Sequence, residues 1–240
     1  MDVATARTRP PLTRHRVLDA ALRYIDAQGL AALSMHKLGA DLGVKAMSLY
    51  NHVADKDDVL DGVVELLWTE IETAAPATGD WRAGYRAFGH ALWDVISGHP
   101  NAGPLVCTRQ IIPAAALRII RDHIASATAS GVHEQRAYAL LRTISSFALG
   151  HVLVYLNWSP CSGRAPTVTD LLSSDLPAEL VNVAENFCGQ SNLQVEFELG
   201  LDLMLRGIAF PDGDVTSDVA TAQPGHVDDK GPGGDNRRTC

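Results

Sequence analysis

The segment GVKAMSLYNHV, residues 43–53, concentrates side chains that can hydrogen-bond to the phosphates and base edges of a nucleic acid. These polar or charged side chains are Lys45, Ser48, Tyr50, Asn51 and His52. Leu49 and Val53 are four residues apart and could anchor the segment on one side. A helix in the major groove needs hydrogen-bonding groups for base edges, and cations or hydroxyls for phosphates. The segment therefore has the side-chain chemistry of a DNA-contacting helix.

The positive charge of the chain is concentrated in the same region. Residues 1–56 hold eight Lys or Arg and five Asp, a net charge of +3, whereas the whole chain carries −8 and the remainder therefore −11. A small basic end can face a polyanion even when the protein as a whole is acidic. The candidate phosphate contacts are Arg14, Arg16, Lys37, Lys45 and Lys56. The two ends of the chain are thus suited to different partners.

Helical periodicity surrounds this segment. Apolar residues recur at three- and four-residue spacing in a first predicted helix, which Thr13 can cap and Gly29 can end. Ser34 can cap a second, short helix, and Gly43 suits a left-handed turn after it. A third short helix is predicted over about 46–52. Two short helices joined by a glycine turn predict a helix-turn-helix, with a solvated helical hairpin that binds no nucleic acid as the alternative.

The rest of the chain is predicted to be helical as well. A longer helix begins near Lys56, and further helices follow at about 82–97, 113–129, 134–157, 178–187 and 192–209. No β-alternating run is present, so the predicted fold class is all-α. A Ser-, Pro- and Gly-rich loop is predicted at 158–175 and disorder from Pro211. We expect three parts, namely an N-terminal arm with the helix-turn-helix at 1–56, a larger helical domain at 57–210 and a disordered tail at 211–240.

Other classes of protein are disfavoured by what the sequence lacks. The N-terminus has no apolar segment after its arginines, no 18-residue apolar run is present, and the four cysteines are scattered. We therefore expect a cytoplasmic protein with reduced thiols, no membrane span and no metal site. No H-E-x-x-H, G-x-S-x-G, P-loop or G-x-G-x-x-G motif occurs, so we expect neither an enzyme nor a cofactor. A helical hydrolase assembled from isolated His and Asp groups is the remote alternative.

The stretch LSMHKLGADLGVKAMSLYNHVADKDDVLDGVVE, residues 33–65, resembles the DNA-binding domain of the TetR family of transcriptional repressors. The signature is Leu-Gly-Val, four residues, Leu-Tyr-x-His-Val, two residues, Lys, and an aliphatic-rich helix. The resemblance implies that Tyr50 and Lys56 grip phosphates. Met47 departs from the family, which often has Gly or Pro there. The predicted DNA-binding set is Arg14, Arg16, Ser34, His36, Lys37, Lys45, Ala46, Met47, Ser48, Tyr50, Asn51, His52 and Lys56.

The resemblance also implies a mode of action. A repressor of this kind binds a palindromic double-stranded operator as a homodimer and leaves it when a small, mostly apolar effector binds. The alternative is a DNA-binding regulator that responds to a protein partner instead.

Two segments of the C-terminal half, residues 138–152 and 197–208, resemble the helices with which tetracycline repressors pair with their partner subunit. A helix that is apolar on more than one face must be covered on more than one side. The predicted interface residues are Tyr138, Leu141, Ser145, Ala148, Val152, Leu193, Phe197, Leu201, Met204 and Ile208. A purely intramolecular core is the alternative.

Candidates for the effector cavity come from the middle of the chain, because such sites have mostly apolar walls with a few polar groups. They are Trp81, Tyr85, Phe88, Trp93, His99, Leu105, Thr108, Phe147, His151 and Tyr155, each with ordinary core packing as the alternative. In tetracycline repressors a His precedes the Thr of the central short helix by three residues, and a Glu follows Leu-Gly-x-Val-Leu. Leu105 and Val154 stand at the matching positions, so we expect the effector not to be magnesium-bound tetracycline.

Overall fold

The computed structural model describes residues 11–158, 176–188 and 192–207. Within these residues it contains ten α-helices, a short 3-10 helix at Leu30–Ala32 and no strand, so the all-α prediction is confirmed. The helices are α1 Arg14–Gln28, α2 Met35–Leu42, α3 Ala46–Leu49, α4 Lys56–Ala74, α5 Trp81–Gly98, α6 Leu105–Thr108, α7 Ala114–Ala129, α8 Glu134–Trp158, α9 Ala178–Cys188 and α10 Leu193–Arg206. Some predictions lie outside the described residues, namely the arm before residue 11, most of the loop at 158–175, Ile208 and the tail from Pro211.

The first two helices begin and end at the residues that the sequence predicted. Thr13 and Ser34 have extended backbones, and their hydroxyls accept N–H groups of the first turns of α1 and α2 at 3.3 Å each. Gly29 ends α1 with φ 82°. Gly43 ends α2 in the left-handed region, with φ 64° and ψ 36°. A residue without a Cβ adopts this conformation at little cost, so Gly43 sets the direction in which α3 leaves.

Helix α3 is shorter than the sequence predicted, because it ends at Leu49 rather than near His52. Tyr50 still has right-handed dihedrals, φ −67° and ψ −9°, but the N–H groups of His52 and Val53 both bond to the Leu49 carbonyl, at 2.8 and 3.0 Å. This turn directs Val53, which is 3% exposed, into the core. The chain then reaches Asp55, whose side chain caps α4 by accepting an N–H at 2.8 Å. Burial of Val53 just before that cap therefore ends α3 early.

Helix α4 belongs to both the N-terminal core and the larger helical domain. It packs against α1, α5 and α7. Its most deeply buried residues recur every four residues, and they are Val59, Val63, Leu67 and Ile71. Gly62 allows a close crossing with α1, since a Cβ there would lie 2.4 Å from Cδ2 of Leu18. A shift of α4 would therefore displace residues in both the N-terminal core and the larger helical domain.

Helices α5, α7, α8 and α10 form the core of the larger domain. Helix α5 contacts α7, α8 and α10, and α8 also contacts α7 and α10. Asp80 caps α5 by accepting the N–H groups of Arg82 and Ala83 at 3.0 and 3.3 Å, so the helix begins one residue before the predicted start. The largest buried side chains here are Tyr85, Phe88, Leu92, Ile96, Ile144, Phe197 and Leu201.

Helix α8 is more apolar than the sequence analysis recognised. Its segment Glu134–Leu156 has a mean hydropathy of 1.5 and meets the length and composition required to cross a membrane. Only 28% of its most apolar window is buried inside the protein. A helix with apolar residues outside its own core also occurs where a second protein chain covers it. The distribution of exposed residues along α8 and α10, described below, favours coverage by a second protein chain over a membrane span.

Candidate DNA-binding face and effector domain

Helices α2 and α3 have one apolar side and one polar side. Leu38 and Leu49 are fully buried and Val53 is 3% exposed, so three apolar residues fix the pair against the core. The predicted DNA contacts that are exposed are His36, Lys37, Lys45, Met47, Tyr50, Asn51 and Lys56. Those that are half-buried are Arg14, Arg16, Ser34, Ala46, Ser48 and His52. We define the recognition face as the outward residues on and beside α3, namely Lys45, Met47, Ser48, Tyr50 and Asn51.

The two helices approach each other most closely at Gly39, which the sequence analysis did not single out. A Cβ on this residue would lie 3.0 Å from the carbonyl oxygen of Val44 and 3.1 Å from the amide nitrogen of Ala46. Both neighbours are backbone atoms, which a rotamer change cannot move. A glycine inside an otherwise regular helical pattern was the signal in the sequence. Gly39 therefore sets the spacing between α2 and α3.

Besides Arg14, three of the predicted DNA contacts use their side chains in hydrogen bonds within the described part of the protein. Ser34 uses its hydroxyl as the cap of α2. Lys37 Nζ donates to the carbonyl of Ala32 at 3.1 Å, and Arg16 Nη1 donates to the carbonyl of Pro11 at 2.6 Å. These bonds hold the side chains near the start of their helices, where a phosphate could also be reached.

Arg14 has a structural role that the sequence analysis missed. Its guanidinium donates two bonds to Asp58, at 2.8 and 2.7 Å, and a longer one to the carbonyl of His52 at 3.5 Å. Asp58 also accepts the N–H of Ala54 at 2.7 Å. The hydrogen bond with Arg14 holds the pKa of Asp58 below its ordinary value, chiefly because it stabilises the carboxylate. Arg14, predicted as a phosphate contact, thus braces the start of α1 against α4.

A second set of ion pairs joins the residue after α6 to α4. Arg109 Nε donates to Asp61 at 2.6 Å, and its Nη1 donates to Asp57 at 2.8 Å. Asp57 and Asp61 lie in the first two turns of α4, next to the carboxylate that binds Arg14. The short helix α6 is therefore tied to the part of α4 that supports the recognition face.

Among the residues that the structure describes, those predicted for the effector cavity fall into separate groups. Trp81, Tyr85 and Phe88 are at most 5% exposed and pack as core against α7. The Tyr85 hydroxyl donates to the carbonyl of Ala137 at 3.2 Å, and burial raises the pKa of Tyr85 to about 12. His123 of α7 lies beside the rings of Tyr85 and Phe88, with centroids 5.8 and 5.6 Å apart. For these three predicted residues core packing, the alternative, is what the structure contains.

His123 is a buried polar group that the sequence analysis missed. It is 1% exposed, with Nδ1 2.9 Å from the carbonyl oxygen of Ile119 and Nε2 3.3 Å from that of Gly84. It therefore joins α5 and α7 through the centre of the larger domain. A single histidine on an otherwise ordinary amphipathic helix gave no signal of this position.

A second aromatic cluster lies between α5, α8 and α10. Its rings have centroids 5.0 to 5.7 Å apart, and they belong to Trp93, Phe147, His151, Tyr155 and Phe197. His151 Nε2 also lies 2.8 Å from the carbonyl oxygen of Leu193, so the cluster attaches the start of α10 to α8. Four of the predicted cavity residues are thus together, but they stand apart from Trp81 and its neighbours.

The last predicted cavity residues lie elsewhere. His99 follows α5 and bonds to α1 and α4, Leu105 is buried in the N-terminal core, and Thr108 is exposed with its hydroxyl donating to the Pro104 carbonyl at 3.2 Å. These positions could not be predicted, because residue type alone does not show which side of a helix faces which neighbour, and a role of these residues in effector binding stays a prediction. No group of three or more His, Cys, Asp or Glu placed to hold a metal ion occurs among the residues described.

A groove of about 550 Å³ lies along α7 and the start of α8. Its walls are mainly aliphatic, with a few polar groups, and they comprise Leu117, Ile120, Arg121, Ile124, Ala125, Thr128, Glu134 and Tyr138. A volume of this size is in the range of small-molecule sites. Only Tyr138 had been predicted to have a functional role, and that role was in subunit pairing.

The predicted subunit interface also needs correction. Leu141, Ala148, Val152, Phe197 and Leu201 are 0 to 3% exposed, because the core of their own subunit already covers them. Tyr138, Ser145, Leu193 and Met204 are half-buried at its edge. The outward apolar residues of α10 are instead Val195, Leu199 and Leu203, which are 62, 58 and 64% exposed. Five of the predicted interface residues therefore belong to the core of their own subunit, and the pairing of these helices with a second subunit stays a prediction.

A helix-turn-helix with an outward polar face, joined to a larger helical domain, defines a DNA-binding transcription regulator. Residues 17–63 match the family described as bacterial regulatory proteins, tetR family, and residues 73–210 match the tetracyclin repressor-like C-terminal domain. The chain belongs to the TetR family. It is therefore a transcription regulator with a ligand-binding C-terminal domain, and not an enzyme.

Individual relatives agree with this assignment. An HTH-type transcriptional regulator of Saccharopolyspora erythraea is 30% identical over 210 residues, which cover 85% of this chain and 87% of the relative. The class D tetracycline repressor protein of Escherichia coli is 26% identical over 203 residues, covering 82% and 88%. The structure of ActR from Streptomyces coelicolor in complex with actinorhodin has a TM-score of 0.68 at 28% identity, covering 82% of this chain and 97% of ActR.

Proposed function

We propose that this regulator represses transcription by binding a palindromic operator as a homodimer through its recognition face, and that a small, mostly apolar effector releases it. The observation that carries the proposal is the arrangement of α2 and α3. Buried Leu38, Leu49 and Val53 hold the pair, while the hydrogen-bonding side chains remain outside. That division is what a helix placed in the major groove requires. The tetracycline repressors among the relatives support repression, rather than activation, as the effect on transcription.

Within this proposal the side chains have different roles. Lys45, Ser48 and Asn51 contact base edges, and Tyr50 and Lys56 contact phosphates. Phosphate contacts position a protein on DNA, whereas base contacts give sequence preference. Met47 is 73% exposed and adds an apolar contact of the kind that meets a thymine methyl group.

Selection of bound duplexes from a random DNA pool tests this function directly. We expect a palindrome whose half-sites are centred about one helical turn apart, ~34–36 Å or slightly more. Lys45→Ala and Ser48→Ala should alter the selected sequence, while Arg82→Ala, a charge change in the larger domain, should leave it unchanged. Recovery of no enriched sequence, or of a single asymmetric half-site, would contradict the proposal.

The homodimer is proposed to form through the outward face of α8 and α10. Val195, Leu199 and Leu203 recur every four residues and form an exposed apolar stripe along α10. The exposed residues of α8 include four small ones, which allow a partner helix to approach closely, namely Ala139, Thr143, Ser146 and Gly150. A second copy would cover both helices and satisfy the apolar surface of α8 in a four-helix interface.

The effector is proposed to bind in the groove between α7 and α8. The walls of the groove are mainly aliphatic, and Arg121, Thr128 and Glu134 add polar groups to its lining. Such a site suits a ligand that is mostly apolar and carries a few hydrogen-bonding groups. The actinorhodin complex of ActR supports small-molecule binding by a protein of this fold. A ligand can release DNA only if it binds two conformations of the dimer with different affinities.

Blocking the groove tests its role once a thermal-shift screen of small molecules has provided a ligand. Ile120→Trp should fill the groove and abolish the shift in Tm, whereas Ile112→Trp, at a residue that is 71% exposed before α7, should not. Equal ligand binding by both variants would place the effector elsewhere. If no small molecule releases the operator, control by a protein partner becomes the better hypothesis.

Magnesium-bound tetracycline is not expected to be the effector. Leu105 is 4% exposed and Val154 carries no ligand atom, although the matching positions in tetracycline repressors hold His and Glu. A hard divalent cation needs oxygen or imidazole ligands and would lose both. Calorimetry should therefore detect no magnesium-dependent binding of tetracycline, and micromolar, magnesium-dependent binding would show that the assignment is wrong.

A further inference from the structure

His99 joins three helices at the boundary between the N-terminal core and the larger domain. It caps the C-terminus of α5, and its Nδ1 lies 2.6 Å from Oδ2 of Asp26 in α1. Its Nε2 lies 3.1 Å from Oε2 of Glu70 in α4. Asn101 adds a bond from Nδ2 to the backbone carbonyl of Asp26 at 2.9 Å. The chain after α5 is therefore fastened to the last turns of α1.

The geometry at His99 requires a positively charged ring. Ionised carboxylates can only accept hydrogen bonds, so each ring nitrogen that faces one must carry a proton. A neutral imidazole has a single N–H and would leave either Asp26 or Glu70 facing a lone pair. The side chains of His99 and Asp26 are only 21 and 25% exposed, and Oδ1 of Asp26 is buried without a partner. Loss of the proton would therefore leave the half-buried carboxylate of Asp26 and the exposed carboxylate of Glu70 with one donor between them.

Titration of the ring follows from the same surroundings. Burial lowers the pKa of His99, but the hydrogen bonds and charges of Asp26 and Glu70 outweigh burial, and the pKa is raised overall. Asp26 from α1 and Glu70 from α4 are the charged groups that face the ring, and Asn101 from the loop after α5 is uncharged. A group whose pKa is raised by folding stabilises the folded state fully below its unfolded pKa, and this stabilisation is lost as the pH rises through the folded-state pKa.

We propose that His99, held between Asp26 and Glu70, is a positioning residue that fixes the helix-turn-helix relative to the larger domain and makes operator binding weaken as the pH rises. The inference rests on the proposed function, since its readout is operator affinity. A dimer must place its two recognition faces at a fixed spacing on the operator. If the orientation of each face is less restricted in the free protein, binding must also fix that orientation, and operator affinity falls. Deprotonation of His99 removes that restriction at α1 and α4 together.

Operator affinity of the full-length protein, measured by fluorescence anisotropy at constant ionic strength from about pH 5.5 to about pH 9, tests the proposal because His ordinarily titrates within this range. Wild-type affinity should fall by about fivefold or more, the lower end of ordinary coupling factors. His99→Gln should bind weakly at every pH with a flat profile. Glu70→Gln, at a side chain that is 47% exposed, should fold normally and show a smaller pH dependence than the wild type.

His90→Gln is the matched control, because His90 also faces a carboxylate, that of Glu198, at 3.0 Å, away from α1 and α4. It should keep the wild-type profile. NMR titration should place the His99 pKa above the ordinary value for histidine in the wild type and lower it in Asp26→Asn. A wild-type profile in both His99→Gln and Glu70→Gln would overturn the inference while leaving the proposed function intact. Absence of operator binding at every pH would overturn both.

Discussion

The cations of the N-terminal domain differ in the partners that they bind. Arg14 donates to Asp58 through both guanidinium Nη atoms, and Lys37 donates to the carbonyl of Ala32. Lys56 is exposed at the first position of α4, adjacent to the turn that carries Tyr50. At the residue scale, charge close to the recognition face therefore serves two purposes, one within the fold and one toward the proposed DNA.

Lys56→Ala tests whether Lys56 contacts a DNA phosphate. We expect affinity for every DNA sequence to fall by a similar factor and the slope of log affinity against log salt to shrink by about one unit, because one phosphate contact is lost. Electrophoretic mobility shifts with cognate and unrelated duplexes over a salt series measure both quantities. Arg82→Ala should change neither, and an unaltered slope in Lys56→Ala would remove Lys56 from the interface.

Asp58→Asn tests whether the ion pair between Arg14 and Asp58 stabilises the fold. The pKa of Asp58 is lowered, mainly by the hydrogen bond with Arg14, so the pair stabilises the fold above the ordinary carboxyl pKa and this is lost as the pH falls through the lowered value. The Arg14 and Asp58 side chains are 41 and 28% exposed, so we expect a loss of only about 1 kcal/mol in the free energy of unfolding at neutral pH. Denaturant titrations should show the difference vanishing in acid. Asp122→Asn, in an exposed pair with Arg121, should have little effect at any pH.

At the scale of elements, the helix-turn-helix depends on backbone contact as much as on its apolar side chains. Gly39 lies against the backbone of Val44 and Ala46, and Gly43 supplies the left-handed turn between the helices. Helix α3 itself has only four residues, so it cannot be stable without this support. The angle between α2 and α3 is therefore fixed by two glycines.

Gly39→Ala should disturb that angle. The added Cβ would lie within 3.0 to 3.2 Å of backbone atoms, so α3 must shift, at a cost of about 1–3 kcal/mol in the free energy of unfolding. Operator affinity should fall further than stability alone explains. Gly79→Ala is the control, since nothing lies within 4 Å of its added Cβ. Crystallographic comparison of the two variants would contradict this account if α3 had not moved in Gly39→Ala.

Local signals in the sequence predicted the elements well, and contacts between elements poorly. Thr13, Ser34 and Gly43 act within a few residues of themselves, so their caps and turn could be predicted. The pairing of Arg14 with Asp58 joins residues 44 positions apart, and no spacing rule indicates it. On α8 and α10, apolar residues occur on more than one face of each helix. Periodicity therefore predicted that more than one face is covered, but it could not show which face packs inside the subunit.

At the scale of the whole molecule, several of the exposed large apolar side chains among the described residues lie on the helices proposed to pair. Leu199 and Leu203 on α10 are 58 and 64% exposed, and most of α8's apolar window is uncovered. Surface of this kind is typical of an interface with another chain. This surface therefore supports the proposal that a second subunit covers α8 and α10.

Leu199→Lys should dissociate the dimer. A charge at the centre of an apolar interface must be desolvated, so the dimer dissociation constant should rise by about tenfold or more. Sedimentation equilibrium measures this, and operator binding should weaken in parallel. Ile112→Lys is the matched control, at a residue that is 71% exposed and lies outside α8 and α10. An intact Leu199→Lys dimer would show that the subunits pair elsewhere.

The separation of anchoring and outward residues in α3 has a consequence for the evolution of this regulator. Leu49 and Gly39 hold the helix, and neither belongs to the recognition face. Substitutions at Lys45 or Asn51 can therefore accumulate with little loss of stability, as is usual for exposed positions. After gene duplication, one copy could acquire a new target site through a few point mutations while both copies continue to fold.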